Sequence, residues 1–148
     1  MVCLGNICRS PLAEGILKNK LLKYGLKWEV DSAGTSNWHS GEPPDDRAVA
    51  TAKKYGIDIS KKRGRQFSLD DFGRFDRIYA MDATNHHDIL CMALSEIEKE
   101  KVELLLNESY PGLKKEVPDP YWNNGFDEVF KMLDEACEMI VKKYAVKV

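Results

Sequence analysis

The segment Cys3-Leu4-Gly5-Asn6-Ile7-Cys8-Arg9-Ser10 puts a thiol, a small turn, a guanidinium and a hydroxyl into one uninterrupted loop. Those residue types, in that order, suit phosphoryl transfer. A loop that wraps a phosphate must turn its backbone N–H groups inward. Gly5 and Asn6 tolerate the positive φ this needs, and a helix opening at Ser10-Pro11 adds its positive end. The same field holds sulfur as the thiolate, so Cys3 is expected to be the nucleophile. The cradle for the anion is then Leu4, Gly5, Asn6, Ile7, Cys8, Arg9 and Ser10. Arg9 offers a planar fork for two phosphoryl oxygens, which Lys cannot imitate. Ser10, read as the N-cap, can aim its hydroxyl at the Cys3 sulfur and steady the departing thiolate in a second, hydrolytic step.

A leaving alkoxide or phenoxide needs a proton. The candidate donor is Asp119 in Pro118-Asp119-Pro120-Tyr121-Trp122, a segment stiffened by two prolines just ahead of the last helical stretch. Negative charge on bound phosphate and thiolate would keep a proton on Asp119, which would then return as general base for water. Tyr121 and Trp122, with Trp38, are candidates for the walls of a slot that takes a flat phosphorylated ring.

Blander readings exist for each group. A lone cysteine is usually a small buried hydrophobe, and Asp-Pro alone is a turn signal. The continuous loop decides for chemistry at Cys3, and Asp119 draws its weight from that loop. Asp82, at the expected exit of a strand, suits either support of Arg9 or capping of the next helix, and the sequence does not separate the two. His39, His86 and His87 read as solvent-facing, Cys137 as core, and the basic run from Lys61 to Arg65 as a solvated loop. Cys3 and Cys8 lack zinc-ligand spacing, so neither a metal nor another cofactor is expected.

These groups need a scaffold. The chain of 148 residues, 43% hydrophobic and 31% charged, is the size of one domain, taken as 1–148. A net charge of -2 gives no long-range field for a polyanion, so nucleic acid is not an expected partner. No apolar run approaches a membrane span and no secretory signal is present, so a cytoplasmic, membrane-free protein with its 4 cysteines reduced is expected. Short apolar runs alternate with amphipathic stretches: strands near 1–4, 28–33, 77–81 and 102–106, and helices near 10–24, 44–55, 85–99 and 126–144. That alternation predicts an α/β fold with a four-stranded parallel sheet, helices on both faces and the site beyond the carboxyl ends of the strands.

The stretch Val2 to Pro11 with Asp119-Pro120-Tyr121 closely resembles the low-molecular-weight protein tyrosine phosphatases. Asp31-Ser32-Ala33-Gly34-Thr35, Gly41 to Asp45, Arg65-Gln66 and Ala80-Met81-Asp82 with Asn85 extend the likeness in family order. The resemblance implies a doubly wound sheet of flavodoxin-like order. It also implies cofactor-free hydrolysis of phosphotyrosine in protein substrates through a cysteinyl-phosphate, with Cys3, Arg9 and Asp119 catalytic and the protein a monomer or weak dimer. Ser10, Ser32 and Asp82 are expected to support the loop from behind, and Cys8 to form a reversible disulfide with Cys3. In the family's arginine-phosphate branch a threonine stands in place of Ile7 and a phenylalanine in place of Tyr121, so the residues here favour phosphotyrosine. Family members carry several apolar residues ahead of the nucleophile. Here only Met1 and Val2 precede it, so a truncated first strand is expected, with the chain trimmed or misassigned at its start. Arsenate reduction would need a cysteine relay that Cys91 and Cys137 do not suggest. A phosphotyrosine-binding module would not need Asp119.

Overall fold

The structure, a computed structural model, describes residues 1–145. Its sheet has four parallel strands in the order β2-β1-β3-β4, where β1 is Val2–Cys3, β2 is Ala33–Gly34, β3 is Ile78–Ala80 and β4 is Val102–Leu104. Val2 stands opposite both Ala33 and Ala80, and β3 and β4 pair from Ile78↔Val102 to Ala80↔Leu104. The expected α/β architecture and strand order are present, with strands shorter than the apolar runs suggested.

Helices cover both faces. α1 (Arg9–Tyr24), α2 (Asp46–Lys54) and α7 (Phe126–Ala145) share one core with Leu12, Ile16, Ala48, Val129 and Leu133. α3 (Asp70–Arg74) and α4 (Ala83–Met92) contribute Phe72 and Ile89 to a second core with Val2, Ile78 and Val102. α7 buries Val129, Phe130, Leu133, Ala136, Cys137, Ile140 and Val141, the three-and-four spacing that one apolar helix face requires. α1 ends where Gly25 takes φ 68° and closes the last turn onto Leu21 and Leu22.

Three local expectations are corrected. The stretch 28–33 is not a strand along its length: β2 pairs only where β1 lies beside it, and its ladder continues as loop through Thr35 N–H to Cys3 O at 2.9 Å and Ser36 N–H to Leu4 O at 3.0 Å. The helix expected over 85–99 is two helices. Ala93 is extended, and Ser95 caps α5 (Glu96–Glu100) while the Glu98 carboxylate takes the Leu94 N–H. The first helix begins at Arg9 with Cys8 at its N-cap, so Ser10 lies inside the first turn and is not the cap. α6 (Pro120–Asn123) is a short turn of helix that sequence periodicity could not reveal.

Candidate active site

β1 ends at Cys3, and the chain turns through residues 4–8 into α1. Asn6 takes the positive φ of 58° that the turn needs, and this backbone bend brings its N–H to Cys3 Sγ at 3.3 Å. Gly5 has a different reason to be glycine: a Cβ there would lie 3.0 Å from Cδ2 of His39. Gly34 has a stricter one, since its Cβ would fall 2.7 Å from the Leu4 carbonyl oxygen. β2 therefore approaches the loop at backbone distance.

Asn6 holds the loop from within. It is 1% exposed, and its Nδ2 donates to Ser10 Oγ at 2.7 Å and to Ser32 Oγ at 2.9 Å, while Oδ1 accepts the Arg65 N–H at 3.1 Å. With Asn6 donating to it, the Ser10 hydroxyl has its own proton to give. Cys3 Sγ lies 3.0 Å away and the Ala33 carbonyl 3.5 Å, so geometry directs that proton to sulfur. Ser32 in turn donates to Glu14 Oε1 at 2.6 Å, and Lys62 Nζ stands 3.3 Å from the same oxygen. A continuous polar chain thus runs from a largely buried ion pair to the sulfur. Ser10 and Ser32 are both links in this chain, and Glu14 and Lys62 are further members that sequence reading missed.

Arg9 is 3% exposed and fixed by two hydrogen bonds from Nη1, to Asp82 Oδ2 at 2.8 Å and to the Val117 carbonyl at 2.9 Å. Its Nη2 faces Asp119 Oδ2 at 3.9 Å. Asp82 also caps α4 through the Asn85 N–H at 2.8 Å, so both roles left open by the sequence are filled by one carboxylate. A cleft of about 360 Å³ opens over Arg9, lined by Leu4, Asp82, Thr84, Glu116 and Asp119 among others. A larger hollow of about 630 Å³ lies at the amino ends of the strands, beside Met1, Trp28 and Tyr144, but neither Arg9 nor Asp119 nor any residue of the loop lines it. Chemistry, not size, selects between them.

Asp119 caps α6, its Oδ1 accepting the Tyr121 N–H at 3.1 Å. The Tyr121 and Trp122 rings meet edge to face at 4.9 Å, and Trp122 is 81% exposed. Trp38 is 72% exposed on the loop that also carries His39. Cys8 is buried; burial, then the nearby Asp45 and Cys3, push its thiol well above the ordinary range. Cys137 is fully buried in the core, as expected, and burial pushes it up to about 12.

Two expectations are overturned. His39 is not simply solvent-facing: its ring packs over Gly5 and its Nδ1 bonds Glu42 Oε2 at 2.5 Å. The run from Lys61 to Arg65 is not a solvated loop throughout. Lys62 binds Asp31 at 2.7 Å, and Arg65 forks onto Asp71 at 2.9 and 3.0 Å. The sequence signal for those pairs was the presence of acidic residues elsewhere in the chain, with no periodicity to connect them. Among the described residues, no group of three or more His, Cys, Asp or Glu is placed to hold a metal ion, and no helix is long and apolar enough to cross a membrane.

Comparison with known proteins gives the same picture from outside the molecule. The low molecular weight phosphotyrosine protein phosphatase of Schizosaccharomyces pombe is 39% identical over 97% of this chain and 94% of its own. The crystal structure of YfkJ from Bacillus subtilis superposes with a TM-score of 0.92 at 36% identity, covering 99% of this chain and 92% of that one. The structure of a Drosophila arginine phosphatase superposes at 0.87 with 38% identity, over 97% and 94%. The family model described as low molecular weight phosphotyrosine protein phosphatase matches residues 1–148, and the chain belongs to that family.

Proposed function

We propose that the chain is a single phosphatase domain that hydrolyses phosphotyrosine monoesters in proteins through a phosphoryl group carried on Cys3. The observation that carries this reading is the placement of Cys3 Sγ at 3.0 Å from Ser10 Oγ, in a loop whose Arg9 faces Asp119 at 3.9 Å. Anion clamp and proton donor line one small cleft together with Leu4, the residue next to the nucleophile.

In the first step the Cys3 thiolate attacks phosphorus. An S–P bond forms, the P–O ester bond breaks, and its electron pair leaves on the phenolic oxygen, which takes the proton from Asp119. In the second step water attacks phosphorus and gives its proton to the Asp119 carboxylate. The S–P bond breaks, inorganic phosphate leaves, and the Ser10 hydroxyl receives the returning thiolate with a hydrogen bond. With Nη1 committed to Asp82 and Val117, Arg9 keeps Nε and Nη2 for the phosphoryl oxygens. Tyr121, Trp122 and Trp38 would flank the ring that carries the phosphate. Cys8 would trap an oxidised Cys3 as a disulfide; its raised thiol keeps it protonated and leaves Cys3 as the nucleophile. Ile7 and Tyr121 favour phosphotyrosine over the phosphoarginine implied by the name of the Drosophila relative.

The test is steady-state turnover of matched phosphotyrosine and phosphoarginine peptides. Cys3→Ser is expected to abolish turnover, and Asp119→Asn to lower kcat/KM for phosphotyrosine by about 10². Wild-type rates in Cys3→Ser would refute the nucleophile. A faster phosphoarginine reaction in the parent protein would move the substrate class.

A further inference from the structure

What fixes Asp119 over the cleft is not its contact with Arg9. At 3.9 Å that contact is an ion pair without a hydrogen bond, and the Asp119 carboxylate is otherwise engaged with the N–H of Tyr121, inside its own turn. The carboxyl therefore goes where the turn goes. The turn is held at its start by Val117, whose N–H bonds the Met81 carbonyl at 2.8 Å and whose carbonyl accepts from Arg9. Its far end is held by Arg47 of α2, 74 residues away in the chain from Tyr121.

The Arg47 guanidinium is itself anchored. Nε and Nη2 fork onto the two oxygens of Asp45 at 3.0 Å each, and the Asp45 backbone N–H bonds the Ile7 carbonyl of the phosphate loop at 2.9 Å. From that anchor, Nη1 reaches the Tyr121 carbonyl at 3.3 Å and the Asn124 side-chain oxygen, and Cζ stands 5.3 Å from the Tyr121 ring and 4.9 Å from the Phe126 ring. A planar fork with a fixed base and a free edge is a strut, and only guanidinium supplies both edges. Asn124 sits at φ 58°, where it ends α6 and turns its amide toward this strut.

We propose that Arg47 is a positioning residue that locks the Asp119 turn to the phosphate loop through Asp45, setting where the acid meets the leaving group. The inference rests on Asp119 being the acid of the proposed reaction. Without the strut, α6 keeps its Val117 end and the buried Phe126 beyond it but loses the guanidinium that holds the Tyr121 carbonyl and Asn124, so Asp119 samples positions outside proton-transfer reach. Substrates whose leaving oxygen needs no proton should be indifferent to that loss.

The experiment is kcat/KM for a series of aryl phosphates of graded leaving-group acidity, measured for the parent protein, Asp119→Asn, Arg47→Ala, Arg47→Lys and Asn124→Gly. Asn124→Gly preserves the left-handed backbone and deletes only the strut's contact. Arg47→Ala and Arg47→Lys should lose at least about tenfold on the poorest leaving group and less than about threefold on the best, following Asp119→Asn, with Asn124→Gly intermediate. Iodoacetate inactivation of Cys3, and protection by inorganic phosphate, should stay within about twofold of the parent, because the phosphate loop is untouched. An Arg47 loss equal across the series, or no loss while Asp119→Asn keeps its leaving-group dependence, overturns the strut alone. A flat response in Asp119→Asn removes the acid assignment and the strut with it.

Discussion

At the scale of single residues, the site is a set of protons with assigned destinations. Asn6 gives two to serine hydroxyls, and this leaves the Ser10 proton for Cys3 sulfur. A hydrogen bond to a charged group contributes about 1.5–3 kcal/mol, so Ser10→Ala is expected to lower kcat about tenfold or more. Because the hydroxyl is proposed to serve the thiolate as it departs, the pre-steady-state burst should persist while the steady-state rate falls. A burst phase slowed by the same factor would place the effect in the attack instead. Cys3, Asn6, Arg9 and Ser10 were legible in the sequence because the loop is continuous, and adjacency in sequence enforces adjacency in space. His39 and Arg47 were not. Their partners, Gly5 for one and Tyr121 and Asn124 for the other, are chosen by how separate loops fold against each other, which no local pattern records.

At the scale of elements, long periodic helices were readable and short or irregular pieces were not. α7 carries its apolar stripe over 20 residues, enough for spacing alone to place it. The break between α4 and α5 was readable in principle, because Ser95 and Glu98 form a helix-start signature that outweighs the surrounding apolar spacing. The stretch 28–33 misled because apolar character suggests a strand, whereas its charged residues face partners outside the sheet. Asp31 is the clearest case. Burial alone would raise its carboxyl, but the Lys62 ammonium, the Ser32 N–H and the Arg65 guanidinium overcome that and hold it at about 2. A carboxyl lowered in the folded state contributes stability above its ordinary value near 3.8, and that contribution fades as pH falls toward about 2. Asp31 is partly solvated, so screening reduces the contribution to about 1 kcal/mol. Asp31→Asn is therefore expected to lower the urea midpoint at pH 7 and to lower it much less near pH 2. An equal difference at both pH values would assign the loss to packing instead.

At the scale of the whole molecule, the strand order decides why distant residues meet. Chain connections leave β1 for one side of the sheet and β3 for the other, so the crevice opens between the exits of these two neighbouring strands. Cys3 stands at the end of β1, Asp82 follows β3, and the segment after β4 returns over the crevice to deliver Asp119. The parallel α/β class followed from alternating patterns. The return of Asp119 did not, since 117–119 is pinned by Met81 and Arg9 and not by any element of its own. This convergence is what is proposed to let Cys3 carry the phosphoryl group. Rapid quench of the protein with a ³²P-labelled aryl phosphate, followed by peptide mapping, tests it most directly. Label should appear on the peptide containing Cys3 within the first turnover, accumulate in Asp119→Asn when the leaving group is good, and be absent from Cys3→Ser. Release of labelled inorganic phosphate through the first turnover, with no protein-bound label under conditions that preserve a thiophosphate ester, would rule out a phosphoryl group carried on Cys3.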